Sequence, residues 1–265
     1  MFDSGVGGLT VLHECLVSLP QEDFVYLGDT EWFPYGTRDP ELLRERIAGI
    51  AELLLRRGAK LLVIACNTAT SIGEGVAREV GAAQGIEVVP VVAPQAEIAA
   101  AITDSGRVGV LATPNTVESG AYRRALEAQG RALEVTEVEA PDLAPFIQNG
   151  SLFDESALTM ARAYCAPLRT ADVDTLILGC THYPLVAPML QRILGRDVRL
   201  VSGGHAVAAA VQRTLERAGI AQERREEGDY RFLCTGETAA FREVGTRFLQ
   251  MPLGDVERVE IPARH

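Results

Sequence analysis

The chain has 265 residues, 47% of them hydrophobic and 23% charged, proportions that fit a soluble globular protein of one large or two small domains. Its formal net charge of −11, from 36 acidic against 25 basic side chains, repels phosphate backbones and argues against nucleic-acid binding, while leaving small anionic ligands open. No apolar run is long enough to cross a bilayer, and Met1-Phe2-Asp3-Ser4-Gly5 lacks the basic start and apolar stretch of a signal peptide, so a cytoplasmic protein with no membrane partner is expected.

In chain order, short apolar or β-branched runs alternate with helical patterns. The predicted strands are Phe24–Gly28, Lys60–Ala65, Glu87–Val92, Arg107–Ala112, Leu133–Val138, Asp174–Gly179, Val198–Val201 and Arg231–Thr235. Helices are predicted over Leu9–Leu19, Pro40–Arg57, Ser71–Gly81, Val117–Gln129, Glu155–Thr170, Pro184–Leu194, His205–Ala218 and Thr238–Gln250. Runs such as Leu61-Leu62-Val63-Ile64-Ala65 read as strands buried on both faces, so the fold class is α/β with parallel sheets covered by helices. No Gly/Ser or Pro linker divides the chain.

The sharpest internal signal is an echo. Leu61-Leu62-Val63-Ile64-Ala65-Cys66-Asn67-Thr68 resembles Asp174-Thr175-Leu176-Ile177-Leu178-Gly179-Cys180-Thr181: a buried strand delivers a cysteine, a nearby threonine and then a helix. Two similar three-layer α/β halves facing each other would explain it, and in open α/β sheets ligands collect at the carboxyl ends of strands. Cys66 and Cys180 are then expected to point into one cleft.

Five cysteines, at 15, 66, 165, 180 and 234, are odd in number and too widely spaced for a disulfide framework, and no close Cys/His set suggests zinc. Most free cysteines are small buried hydrophobes, and Cys15, Cys165 and Cys234, inside helical or strand patterns, read that way. Cys66 and Cys180 differ, because each sits just past a strand end before a helix start, a setting expected to lower a thiol pKa. A redox pair would sit closer in sequence, and nucleophilic catalysis leaves a second thiol without a task. Proton transfer at a stereocentre needs two near-identical groups that exchange protonation states, which points to racemisation or epimerisation.

The polar neighbours follow. Asp3 and Ser4 precede Gly5-Val6-Gly7-Gly8, a turn whose glycines would let backbone approach a substrate carboxylate or amine; as a phosphate loop it lacks the lysine ending. His182, two residues after Cys180, is a plausible proton partner, and Pro184 leaves Thr181, His182 and Tyr183 in an exposed connection. Gly28 to Thr37 combines aromatics with turn residues, and Thr113 and Thr116 offer hydroxyls at a helix start, where capping is their ordinary role.

Phe2-Asp3-Ser4-Gly5-Val6-Gly7-Gly8-Leu9-Thr10-Val11, Pro34-Tyr35-Gly36, Ala65-Cys66-Asn67-Thr68-Ala69-Thr70 and Gly179-Cys180-Thr181-His182-Tyr183-Pro184 resemble, in order, the signatures of bacterial glutamate racemases of the aspartate/glutamate racemase superfamily. Thr113, Thr116, Ser119 and Tyr122 resemble a fourth segment of that family, and Thr235-Gly236-Glu237 with Val256–Ile261 its closing one. The resemblance implies two α/β halves, 1–92 with 208–265 and 93–207, with the active site between them. It implies interconversion of L- and D-glutamate for peptidoglycan without pyridoxal phosphate, metal or nucleotide, in a homodimer. By position, Cys66 would take the α-proton from D-glutamate and Cys180 from L-glutamate, assisted by Asp3 and His182 respectively. Ser4, Pro34, Tyr35, Gly36, Asn67, Thr68, Thr113, Thr116 and Thr181 would hold the substrate. Two departures stand out: Gln148 occupies a position where many members carry a glutamate, and a first strand at Phe2-Asp3 is expected to be very short. The readings left open beside this one are a racemase of aspartate, an interaction protein using its acidic surface, and a thiol-redox or zinc protein.

Overall fold

The computed structural model describes residues 1–150 and 155–262. The first part of the chain runs β1 (Phe2–Asp3), α1 (Leu9–Ser18), β2 (Phe24–Gly28), a 3-10 turn at Tyr35–Thr37, α2 (Pro40–Arg56), β3 (Leu62–Ile64), α3 (Asn67–Ala82) and β4 (Val88–Pro90). The middle part contains α4 (Val92–Ile102), β5 (Arg107–Ala112), α5 (Pro114–Glu118), α6 (Ala121–Glu127), β6 (Glu134–Glu139), α7 (Leu143–Gln148), α8 (Glu155–Thr170), β7 (Thr175–Gly179), α9 (Ala187–Leu194) and β8 (Arg199–Val201). The chain then returns through α10 (Gly203–Ala218), β9 (Tyr230–Cys234), α11 (Thr238–Leu249) and β10 (Val256–Arg258).

Two parallel sheets result, one of six strands in the order β10-β9-β2-β1-β3-β4 and one of four in the order β6-β5-β7-β8. The α/β class with two parallel sheets agrees with the sequence reading. In the first sheet, β1 sits between β2 and β3, Phe2 opposite Leu27 on one side and Ile64 on the other. In the second, β5 lies between β6 and β7, with Ala112 level with Gly179. Central strands β3 and β7 are buried along their whole length, the reason their sequences are continuous apolar runs. The edge strand β6 is exposed at its end residues Glu134 and Glu139 and half-buried between them, which suits a strand with one free edge.

Local chemistry sets several element ends. Asp39 caps α2 by accepting from the backbone N–H groups of Glu41 and Leu42, with Pro40 at the first helical position. The predicted helix over Val117–Gln129 is two helices, because Gly120 at φ +65° turns the chain between α5 and α6. Helix α3 begins at Asn67 rather than Ser71, since the Cys66 sulfur itself caps it by accepting from the Ala69 N–H at 3.4 Å. Helix α10 runs unbroken through position 207/208, where the sequence reading divides the halves, and packs against α1 and α4. The larger apolar core is continuous through both halves, joining Leu9 and Val91 of the first to Val110 and Leu178 of the second. No helix among the described residues is long and apolar enough to cross a membrane.

Candidate active site

The strands of both sheets run parallel and end at one cleft, and the loops after them carry the candidate residues. Strand β1 delivers Asp3 and Ser4, β2 leads to Asp29, β3 to Cys66, β5 to Thr113 and β7 to Cys180. Cys66 and Cys180 line the same small cavity, together with Ser4, Pro34, Tyr35, Gly36, Asn67, Thr68, Thr113, Thr181 and His182. Every site residue expected from the sequence is on that wall except Asp3 and Thr116, which lie one layer behind it. Asp3, fully buried, accepts from the Gly5 N–H at 2.9 Å and from the Thr181 hydroxyl at 3.1 Å. Thr116 shares a hydroxyl cluster with Thr113 (3.0 Å) and Thr68 (3.3 Å), and Thr68 and Thr113 meet across the cleft at 2.8 Å. The sequence did not single out Phe33 or Ala144, which complete the wall; no chemistry-bearing pattern marks them.

The cavity measures about 20 Å3, room for about one water molecule, so the cleft is closed. Two larger cavities, of about 380 and 360 Å3, lie elsewhere: one against Met1, Lys60 and Arg231 at the opposite strand ends, the other between α3, α4 and α6. Neither contains a thiol.

Closure decides the electrostatics. Burial pushes the Cys66 thiol up to about 12, with the nearby Asp3 carboxyl adding to the rise, and pushes Cys180 up as well. The expectation that helix starts would lower these pKa values is therefore corrected. The Ala69 N–H and the Ser4 hydroxyl, 3.7 Å from the Cys66 sulfur, do favour its thiolate, but desolvation outweighs both. Cys180 lacks a regular helix directly behind it, since a 3-10 turn over Tyr183–Val186 intervenes before α9. Burial also raises Asp3 to about 6 and lowers His182 to about 3.

Thr181, His182 and Tyr183 were expected in an exposed connection, but all three are buried, because the loop after β7 packs under the Gly7 turn and α11. The His182 ring sits between Phe33 and Phe248, its centroid 5.3 and 5.1 Å from theirs. Its Nε2 lies 3.0 Å from Gln148 Oε1 and its Nδ1 3.8 Å from the Cys180 sulfur. An amide oxygen only accepts, so Nε2 carries the proton and Nδ1 presents a lone pair to the Cys180 thiol. The glycines after Asp3 serve close packing of the protein on itself: a Cβ on Gly7 would lie 2.3 Å from Thr181 Oγ1, and one on Gly8 would lie 2.5 Å from Asp3 Cβ.

The Pro34-Tyr35-Gly36 loop is held from two sides. Asp29, fully buried, accepts from the Tyr35 hydroxyl at 2.5 Å, from Arg46 at 2.9 and 2.6 Å, and from Thr235 at 2.8 Å. From the other sheet, Asn115 donates to the carbonyls of Tyr35 (2.9 Å) and Arg38 (2.7 Å).

The chain as a whole has counterparts among known proteins. The family profile described as Asp/Glu/hydantoin racemase matches residues 11–211. The chain belongs to that family. Among members of the racemase family, a glutamate racemase of Geobacter metallireducens is 41% identical over 99% of this chain and 96% of its own length, and one of Bacillus cereus is 38% identical over 98% and 95%. Among solved structures, glutamate racemase isoform RacE1 from Bacillus anthracis superposes with a TM-score of 0.94 at 34% identity, covering 99% of this chain and 97% of that one. Glutamate racemase from Francisella tularensis, solved in complex with D-glutamate, gives 0.92 at 30%, with the same coverage.

Proposed function

We infer that the protein is a cofactor-independent glutamate racemase in which Cys66 and Cys180 act as the two proton-transfer groups. The observation that carries the reading is that two thiols, delivered by equivalent strand ends of two sheets, line one cavity. Relatives that match nearly the whole chain are glutamate racemases. Cys66 as thiolate takes the α-proton of D-glutamate; the pair of electrons left at the α-carbon is delocalised into the carboxylate, and the Cys180 S–H returns a proton to the opposite face. In the other direction the roles exchange. Asp3 assists Cys66, and His182 Nδ1, held in its tautomer by Gln148, assists Cys180. Ser4, Asn67, Thr68, Thr113, Thr116, Thr181 and the Pro34-Tyr35-Gly36 loop hold the substrate's charged groups.

The two lobes of the proposal are 1–92 with 208–265 and 93–207, and the physiological product is D-glutamate for peptidoglycan. The assembly is a homodimer, and the net charge of −11 supports a protein with no nucleic-acid partner.

Racemisation of L- and D-glutamate, followed by circular dichroism without added cofactor, tests the reading on wild type, Cys66→Ser and Cys180→Ser. Exchange in both directions, abolished by either change, is expected. Persistence in either variant would defeat the two-thiol mechanism, and faster turnover of aspartate than of glutamate would defeat the substrate assignment.

A further inference from the structure

Behind the cavity lies a side chain with no role in the reading above. Gln95, fully buried, stands in the first turn of α4, the helix that carries the chain from the first sheet to the second. Its amide oxygen accepts from Asn67 Nδ2 at 2.8 Å and from the Tyr122 hydroxyl at 2.5 Å. Its amide nitrogen donates to the carbonyls of Leu178 and Val201, at 3.2 and 3.3 Å. Both donors and both lone pairs of one amide are thus engaged, which satisfies the full hydrogen-bonding capacity of a buried glutamine.

The partners matter more than their number. Asn67 follows Cys66 and opens α3; it also donates to the Tyr122 hydroxyl at 2.6 Å. Leu178 lies in β7 two residues before Cys180. The ladder between β7 and β8 ends at the pair Ile177–Val201, and Gln95 donates to a carbonyl of each strand at that end, Leu178 O and Val201 O. One planar amide therefore connects the segment bearing the first thiol to the strand bearing the second, through one hydrogen bond to each, and is anchored further by Tyr122 of α6 and Val201 of β8.

We propose that Gln95 is a positioning residue for racemisation, acting through Asn67 and Leu178 to fix the separation of the Cys66 and Cys180 thiols across the cavity. The proposal rests on the two-thiol reading. Two-sided proton transfer depends on both sulfurs lying at reacting distance from one carbon, and small misplacements are amplified strongly in rate. An apolar side chain at position 95 would still fill the core, but it would withdraw a donor from Leu178 O and from Val201 O and leave Asn67 tied only to Tyr122.

The test is Gln95→Met, which keeps length and volume, with Tyr122→Phe as a second variant that removes one hydroxyl from the same network. Thermal melting establishes the folded fraction, and kcat and KM are measured per folded protein for L- and D-glutamate, beside Cys66→Ser and Cys180→Ser. For Gln95→Met, kcat is expected to fall by about tenfold or more for both enantiomers with KM changed by less than about threefold. If Gln95→Met does not fold, a smaller kcat loss of the same kind in Tyr122→Phe carries the proposal. Wild-type kcat per folded protein, or a change confined to KM, would overturn it and mark Gln95 as a packing residue. Activity persisting in the cysteine variants would overturn the two-thiol reading and this proposal with it, whereas dead cysteine variants beside an unaffected Gln95→Met would remove the proposal alone.

Discussion

Replacing Asp3 with asparagine should stabilise the protein at neutral pH while lowering its racemase activity. Asp3 is fully buried, and the hydrogen bonds it accepts come from a backbone amide and a hydroxyl, neither of which carries a charge. Burial consequently raises its pKa from 3.8 to about 6. The folded state then holds a proton that the unfolded state has already released, so the stability linked to Asp3 is present in full below about pH 4 and is lost as pH rises through 6. A shift of roughly two units corresponds to about 3 kcal/mol. Asparagine keeps the shape: its oxygen accepts from Gly5, and its amide donates to the Thr181 hydroxyl, which turns to accept. Urea unfolding of wild type and Asp3→Asn across pH 4 to 8 measures the effect, with other titrating groups cancelling in the difference. The stability advantage of the variant should grow by up to about 3 kcal/mol between pH 4 and 7. A difference that stays flat with pH would show that Asp3 carries no raised pKa in the fold, and the account of the site's electrostatics would be wrong.

Three further outcomes are expected. Gly7→Ala places a methyl 2.3 Å from Thr181 Oγ1 and 2.5 Å from His182 Nδ1, in a ring already held between Phe33 and Phe248, so kcat should fall by about a hundredfold with a melting loss equivalent to about 1–3 kcal/mol; near-normal kinetics would show that the loop after β7 yields freely. Arg46→Met leaves the buried Asp29 without its bidentate partner, which should cost about 3 kcal/mol in chemical unfolding and raise KM through the freed Tyr35 loop. Iodoacetamide at pH 8, followed by peptide mass spectrometry, should modify Cys66 about a thousandfold more slowly in the native protein than in urea, because the thiol is buried and its pKa stands near 12 against 9.0; rapid native labelling would refute the closed cleft.

How much of this was legible in the sequence depended on whether the cause was local. The strands β2 and β5 and the end of β7 could be read to the residue, since burial on both faces leaves a continuous apolar run. Helix α4 escaped notice because its exposed stripe, Ala93, Glu97 and Ala101, is mostly alanine while Val92, Pro94, Ala96, Ala99 and Ala100 are buried, so little polar–apolar alternation marks it. Strand β1, two residues long, and α7, six residues long, are too short to carry a period. The thiols were legible because chain direction and sheet topology put like strand ends together. The Gln95 network was not, since it joins residues from positions 67, 95, 122, 178 and 201, which meet only after both sheets form. The direction of the thiol pKa shifts was misread for the same reason: a helix start is visible in sequence, whereas the depth of burial that overrides it belongs to the tertiary structure.

Raised thiol pKa values look unfavourable for a base, yet they suit the proposed site, which would hold one thiolate and one thiol. Burial raises both thiols first; Cys66 adds to the resistance of Cys180 to ionisation, and the Asp3 carboxyl adds to both. Two negative sulfurs in so small a space would repel strongly, so the pair carries at most one charge, the condition that two-sided proton transfer needs at every turnover. An amino-acid substrate changes the balance by bringing an ammonium group, whose positive charge opposes the desolvation that keeps both thiols protonated. A cavity of about 20 Å3, lined on its two sides by Thr68 and Thr113 in hydrogen-bond contact, is too small for that substrate unless it widens. In the two-thiol reading, burial keeps the thiols neutral and a cationic group close beside them would let one ionise.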